Sequence, residues 1–221
     1  MTRFHRSRGL RHMPNAQQGV VLVVALIFLL LLTILAISAS GRSLIQERMV
    51  GGLRNAQQAG ISAENALRGA EWRLWTRTSQ VGGRLNCMIG SISSDDACTV
   101  YNPGNPPYTA TGDVTKFRNS EGWVDGIGNT YKGPSNSIDY TSSSLQKTAR
   151  LAKNPVYIIE DMGRELAPGT GPHHESGDTG PNNNAPGQVN THVFRITARA
   201  TGGNENTVRV LQSTFDAQAN N

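Results

Sequence analysis

The chain has 221 residues, with 21 Lys and Arg against 16 Asp and Glu, for a formal net charge of +5, and two cysteines. Four of the positive charges, Arg3, Arg6, Arg8 and Arg11, sit in the first nineteen residues, which carry no acid, so the rest of the chain is close to neutral at +1. With no basic, aromatic-studded stripe to follow a phosphate backbone, nucleic-acid binding is set aside, and the part of the chain beyond the N-terminal region is long enough for one modest domain.

A basic leader, residues 1–19, ends at Gly19 and runs directly into VVLVVALIFLLLLTILAI, residues 20–37. No Asp, Glu, Lys or Arg occurs between Arg11 and Arg42. Eighteen residues at ~1.5 Å each give a helix of roughly 27 Å, close to the ~30 Å hydrocarbon core of a bilayer. Val20–Ile37 is therefore the predicted transmembrane segment, with Val24 near its start. Four Lys/Arg precede it, and Arg42, Arg48 and Arg54 lie beyond it. That margin, and the ease of leaving a short leader behind, put the leader in the cytoplasm and the long C-terminal part across the membrane.

The helical pattern does not stop at the membrane boundary. Ile45, Met49, Leu53, Ala56, Gly60, Ala63, Leu67, Ala70 and Leu74 recur three or four residues apart, and no proline falls between Leu44 and Trp75. This is the apolar stripe of an amphipathic helix, predicted over residues 20–76. Arg48, Arg54, Glu64, Arg68, Glu71 and Arg73 fall mostly off the stripe. Gly41, Gly51, Gly52, Gly60 and Gly69 each weaken the helix by about 1 kcal/mol relative to Ala, so it needs packing support, with Gly41 and the Gly51-Gly52 pair as the points to bend. Gly82 and Gly83 are stop signals. Trp72 and Trp75 are expected as core residues beneath a sheet.

Residues 77–221 form the predicted head. Cys87 and Cys98 lie too far apart for a CxxC redox pair and too few for a zinc site. If the head is exported, a disulfide is expected, stabilising by roughly 2–3 kcal/mol; two buried free thiols are the alternative. Nine of the ten prolines fall between Pro103 and Pro186, so no long helix is expected there. Within that stretch Trp123-Val124 and Val156–Ile159 are short strand candidates, and residues 163–188 form a loop-rich insertion almost free of large apolar groups. The end of the chain is clearer. HVFRITARAT, residues 192–201, places Phe194, Ile196, Ala198 and Ala200 on one face and Arg195, Thr197 and Arg199 on the other. A Gly202–Asn206 turn comes next, and TVRVLQSTF, residues 207–215, alternates again, giving a hairpin. Arg195, Arg199 and Arg209 are expected on a wet face or on a contact surface for a neighbour. One sheet packed on the stripe of the long helix covers both apolar faces, an α+β architecture.

No GxSxG, HExxH, P-loop or GxGxxG pattern occurs, so an enzyme is not expected. His173, His174, Glu175 and Asp178 share a polar Gly/Pro-rich loop with no regular element to fix their geometry, and neither a metal site nor a cofactor is assigned to them.

A short basic leader ending in glycine, followed by an apolar helix that continues into a head, resembles the type IV prepilins. The run SLIQERMVGGLRN with the following A-E-x-A-L-R, and the hairpin FRITARATGGNENTVRVLQSTF, are similar to the PilX group of minor pilins. The resemblance implies a type IV pilin-like fold, a long N-terminal helix packed on a C-terminal antiparallel β-sheet. It implies a cut by a prepilin peptidase between Gly19 and Val20, with Val20 in place of the usual Phe as the residue to be N-methylated. It implies a precursor held in the inner membrane with its head in the periplasm, then moved to the pilus. Partners are other minor pilins, the major pilin, the peptidase and inner-membrane lipid.

One departure from the family pattern carries weight. Major pilins have a Glu at the fifth mature position, whose carboxylate is taken to meet the N-terminal amine of a neighbour; here that residue is Val24. A subunit lacking this partner is expected at or near the pilus tip, or in the initiation complex. Three rivals share the N-terminal logic: a secretory signal peptide cut near Ala39, a signal-anchored envelope protein with no filament role, and a minor pseudopilin of type II secretion.

Overall fold

The computed structural model describes residues 18–79, 83–145, 149–165 and 191–219. Helix α1 runs from Gln18 to Thr78, and its hydrogen-bonded course is continuous through Gly41, Gly51 and Gly52. The chain divides into two compact units between Val50 and Gly51. In the first unit α1 is the described element, and its side chains from Val20 to Val50 are exposed. The second unit holds the rest of α1 and the head.

In the head, α1 buries one face, made of Ala59, Ala63, Ala66, Leu67, Ala70 and Leu74. The alanines matter as much as the leucines, because small side chains let the helix axis lie close to the sheet beneath. The helix ends at Thr78, whose hydroxyl bonds back to the Leu74 carbonyl at 2.9 Å, before the glycines that the sequence offers as a stop; Gly82 lies outside the described residues.

The strands are β1 (Cys87–Met88), β2 (Cys98–Val100), β3 (Asn129–Thr130), β4 (Val156–Arg164), β5 (Thr191–Thr201) and β6 (Val208–Gln218). A short helix α2, Asp113–Asn119, lies between β2 and β3. The sheet order is β1-β2-β4-β5-β6, with β3 beside β4. Strands β4, β5 and β6 are antiparallel, as the alternation predicts. Strands β1, β2 and β4 pair in parallel, so the sheet is mixed rather than wholly antiparallel. The reason lies in the connection. Parallel neighbours need a crossover, and residues 101–155, carrying α2, supply one between β2 and β4.

That crossover gives the sheet a second cover. On the α1 side, Tyr157 and Ile159 of β4 and Phe194, Ile196 and Ala198 of β5 join Leu67, Ala70 and Leu74 in one apolar cluster. On the other side, Val156 and Ile158 meet Val114 and Phe117 of α2, with Trp123 packed against them. Trp123-Val124 is therefore not a strand but part of the loop sealing this second face; its indole N–H donates to Asp125 at 2.8 Å. Each large apolar side chain buried in these clusters contributes roughly 1.5–3 kcal/mol. The hairpin turn docks on α1 as well. Gly203 N–H donates to Asn55 Oδ1 at 3.2 Å, and a Cβ at Gly202 would run into the Asn55 carbonyl, so only glycine permits this approach.

Candidate functional site

The N-terminal part of α1 is the first candidate surface, and its chemistry is uniform. Every Val, Leu, Ile and Phe from Val20 to Ile37 is exposed, from 44% at Val24 to 74% at Ile37. An 18-residue window of this helix has a mean hydropathy of 3.5, and by length and composition it can cross a membrane. Two of its hydroxyls are turned inward on the backbone: Thr33 donates to the Leu30 carbonyl at 2.8 Å and Ser40 to the Ala36 carbonyl at 2.9 Å. Such internal pairing of hydroxyls is the condition for residing in hydrocarbon, where water cannot satisfy them. Val20, Val24 and Ile37 all belong to this helix; the leader up to Gln17 lies outside the described residues.

The predicted cysteines are bonded to each other. Cys87 and Cys98 are register partners in β1 and β2, and the bridge ties the two-residue edge strand to the sheet. Cys98 is fully buried in the main apolar cluster. The loop between the cysteines is also anchored by charge. Arg73 of α1 donates to Asp96 Oδ1 at 2.9 and 3.2 Å, and Asp96 Oδ2 accepts the Asn86 N–H at 2.9 Å. The helix pattern that sets Arg73 in water did not reveal this pairing.

Two arginines expected on a wet face are drawn inward by the crossover. Arg195 makes a two-pronged contact with Glu160, its register partner on β4, at 2.8 and 2.5 Å, and lies 5.6 Å from the centre of the Tyr101 ring. The bond to Glu160 holds the Arg195 guanidinium above its ordinary value. Burial, with the Glu160 charge next to it, pushes the Tyr108 phenol up strongly. Arg199 is fully buried. Only Arg209, on the edge strand β6, is exposed as predicted. The paired and buried members of this set are structural.

The two tryptophans reverse in the other direction. Trp72 and Trp75 are 60% and 50% exposed, with ring centroids 5.1 Å apart. Trp72 is two residues from Ala70 and from Leu74, about 200° around the helix from each, so burying those residues turns it outward. No group of three His, Cys, Asp or Glu fit to hold a metal occurs among the described residues, and His173, His174, Glu175 and Asp178 lie outside them, as does nearly all of the predicted insertion 163–188.

A long apolar N-terminal helix, a head whose sheet packs on that helix and a disulfide at the sheet edge form a pilin layout. The family profile for the C-terminal part of the type IV pilus assembly protein PilX matches residues 93–217, and the PilX N-terminal profile matches residues 18–68. No curated protein matches the chain, and no solved structure does. The C-terminal match spans more than half of the chain and contains β2, α2, β3 to β5 and all but the last residue of β6, while the N-terminal match covers most of α1. The chain belongs to the PilX family of type IV pilus assembly proteins and is a membrane-anchored minor pilin, a structural subunit.

Proposed function

We propose that this minor pilin primes assembly of a type IV pilus from the inner membrane and ends at or near the pilus tip. The observation that carries the reading is the apolar helix Val20–Ile37, exposed on every side and lacking an acidic group at Val24. The domain plan is a leader 1–19, a helix 20–76 with its 20–37 part in the membrane, and a head 77–221. A prepilin peptidase cuts after Gly19 and leaves Val20 as the first residue. The head then faces the periplasm, an oxidising compartment suited to the Cys87–Cys98 bond.

Helix–helix packing supplies the mechanism. In lipid, an all-apolar helix gains nothing from hiding from water, so association rests on van der Waals fit. Helices of other minor pilins offer such a fit, which offsets the cost of leaving the bilayer. Val24 cannot accept the amine of a neighbouring N-terminus, so the subunit suits a position where that contact is absent.

Two measurements test this. Deleting the gene is expected to reduce surface pili sharply; a normal pilus count would overturn the assembly role. Sequencing the mature N-terminus is expected to give Val20. A start at Gly41 would make the helix a discarded signal peptide, and a start at Met1 would make it a plain anchor.

A further inference from the structure

We propose that a groove on the head, between α1 and the segment that follows β3, binds an oligosaccharide carrying a carboxylate. The groove has a volume of about 690 Å³, within the ~300–1,000 Å³ range of small-ligand sites. Arg68, Trp72 and Arg77 line it from α1, and Tyr131 and Lys132 line it from the opposite side. Gly69 makes the shape possible. The Tyr131 ring lies directly on it, leaving no room for a Cβ, so the tyrosine forms a flat wall where a larger residue would hold it away.

The unsatisfied chemistry of the groove selects the ligand. Trp72 offers an exposed ring face, which a water-soluble head gains nothing by displaying. Two of the four cations around the groove are already used: Arg73 is held by Asp96, and Arg68 by Glu71 at 2.9 Å and Glu64 at 3.9 Å. Among the described residues, Arg77 and Lys132 form no ion pair within 4.0 Å, and neither does the Asp95 carboxylate, which also lines the groove. Among the residues that line the groove, two cations outside ion pairs against one such carboxylate leave a single positive charge, with the Asp139 carboxylate near enough to Lys132 to feel its charge. That suits one carboxylate and not the repeated charge of a nucleic-acid backbone.

An apolar ligand would cover Trp72 but leave Arg77, Lys132 and Asp95, whose Oδ1 accepts only from the Ser94 hydroxyl, without charged partners, a cost borne by each desolvated group. A bare anion would pair with the cations but ignore Trp72 and be repelled by Asp95. A pyranose ring uses all three: its C–H face lies on Trp72, its hydroxyls donate to Asp95, and its carboxylate meets Arg77 and Lys132 through charge-assisted bonds.

The test uses the full-length chain in detergent micelles, with saturation-transfer NMR on sialyllactose and trigalacturonate as acidic probes and on lactose and galactotriose as neutral ones. At least one acidic probe is expected to receive transfer on its ring protons, above its neutral counterpart. Trp72→Ala and Arg77→Ala are each expected to weaken that binding by about tenfold, the worth of one charge-assisted or stacking contact. Arg209→Ala, on strand β6 and outside the groove, is expected to leave it unchanged. All three side chains are exposed, so the variants keep the fold, which equal melting temperatures will register. Absence of transfer to both acidic probes, or equal transfer in Trp72→Ala, overturns the proposal. So does a photo-crosslinker at position 72 that joins this head to another pilin in piliated cells, since that assigns the groove to a protein contact. The groove variants are expected to leave pilus number unchanged, which keeps this inference separable from the assembly role.

Discussion

Arg199 on β5 donates two hydrogen bonds to the carbonyl oxygen of Phe117, 82 residues earlier in the chain, at 3.1 and 2.7 Å. The same guanidinium donates to the Ser120 carbonyl at 2.7 Å and to that of Gly122. These carbonyls gather at the C-terminal end of α2, where peptide dipoles favour a cation. Arg199 is thus a buried charge solvated by carbonyl dipoles, with its guanidinium 5.6 Å from the centre of the Phe117 ring. Burial holds this guanidinium below its ordinary value.

Replacing Arg199 is expected to detach α2 from the sheet. Arg199→Ala strands several buried carbonyls and opens a cavity, for an expected loss of about 3–5 kcal/mol. Arg199→Lys keeps the charge but cannot reproduce the planar fork, and is expected to fall between the parent and Arg199→Ala. Urea denaturation checks both. A midpoint for Arg199→Ala equal to that of the parent would mean that α2 is held by its apolar contacts alone.

The face of β5 that carries Arg199 is also where reading the chain by pattern stops working. Alternation separated Phe194, Ile196, Ala198 and Ala200 from Arg195, Thr197 and Arg199 correctly, and Phe194, Ile196 and Ala198 are buried in the cluster against α1. It could not say that the second set is covered too. The cover comes from residues 101–155, whose short turns and prolines have no periodicity, and whose path over the sheet is dictated by the parallel pairing of β2 with β4. The same limit applies on α1. The spacing of Ala63, Leu67, Ala70 and Leu74 revealed the buried stripe, but hydrophobicity alone assigned Trp72 and Trp75 to the core, against the helical angle that turns Trp72 outward. For the N-terminal surface, the apolar run from Val20 to Ile37 needed no tertiary information, because its fitness to cross a membrane depends on length and composition alone. The groove beside Trp72 depends on Tyr131, more than fifty residues away, and no local pattern brings the two together.

Reducing the disulfide is expected to loosen β1 more than the rest of the head. Strand β1 has two residues and, among the described strands, pairs only with β2, and the Cys87–Cys98 bond closes the connecting loop. A loop of this size predicts a loss of roughly 2–3 kcal/mol on reduction. Arg73 and Asp96 remain to hold the loop on α1, so β2 is expected to stay in place. Hydrogen exchange on the reduced chain is expected to rise at residues 84–90 while protection persists at 98–100. Uniform loss of protection would show that the bridge supports the whole sheet. Cys98→Ser is expected to cost more than Cys87→Ser, since only Cys98 is fully buried and its hydroxyl replacement would lie among apolar groups.

Asp139 gives the head a defined response to acid. Its Oδ1 accepts from the Thr141 hydroxyl at 2.7 Å, the Thr141 N–H at 3.0 Å and the Asn154 amide at 2.9 Å. These bonds, the Thr141 hydroxyl first, lower its carboxyl from 3.8 to about 2. A carboxyl depressed in the folded state adds stability that is complete above its unfolded value and lost as pH falls through the folded one. The contribution is therefore expected to fade between pH 3.8 and about 2. Asp139→Asn keeps the shape and removes the charge. Its melting temperature is expected below the parent's at neutral pH, with the gap closing across that interval. A gap that stays constant with pH would assign the effect to geometry.

Val24→Glu tests the placement of the subunit at the end of the filament. In α1 this position is surrounded by apolar residues on every side, from Val20 to Ile37, with no charged group of its own helix within reach. A carboxylate there costs about 2.5–3.5 kcal/mol near the centre of a bilayer and less toward the edge. Inside a bundle of pilin helices it needs a hydrogen-bonding or charged partner. The N-terminal amine of an adjacent subunit is the group able to provide one. Introducing the glutamate therefore supplies the contact that repeats along a pilus shaft. Val24→Glu protein is expected to spread from the filament end into the shaft, as seen by immunogold labelling, and to alter the number of pili per cell. If labelling and pilus number both match the parent, the residue at this position does not govern where the subunit goes, and the tip assignment loses its physical basis.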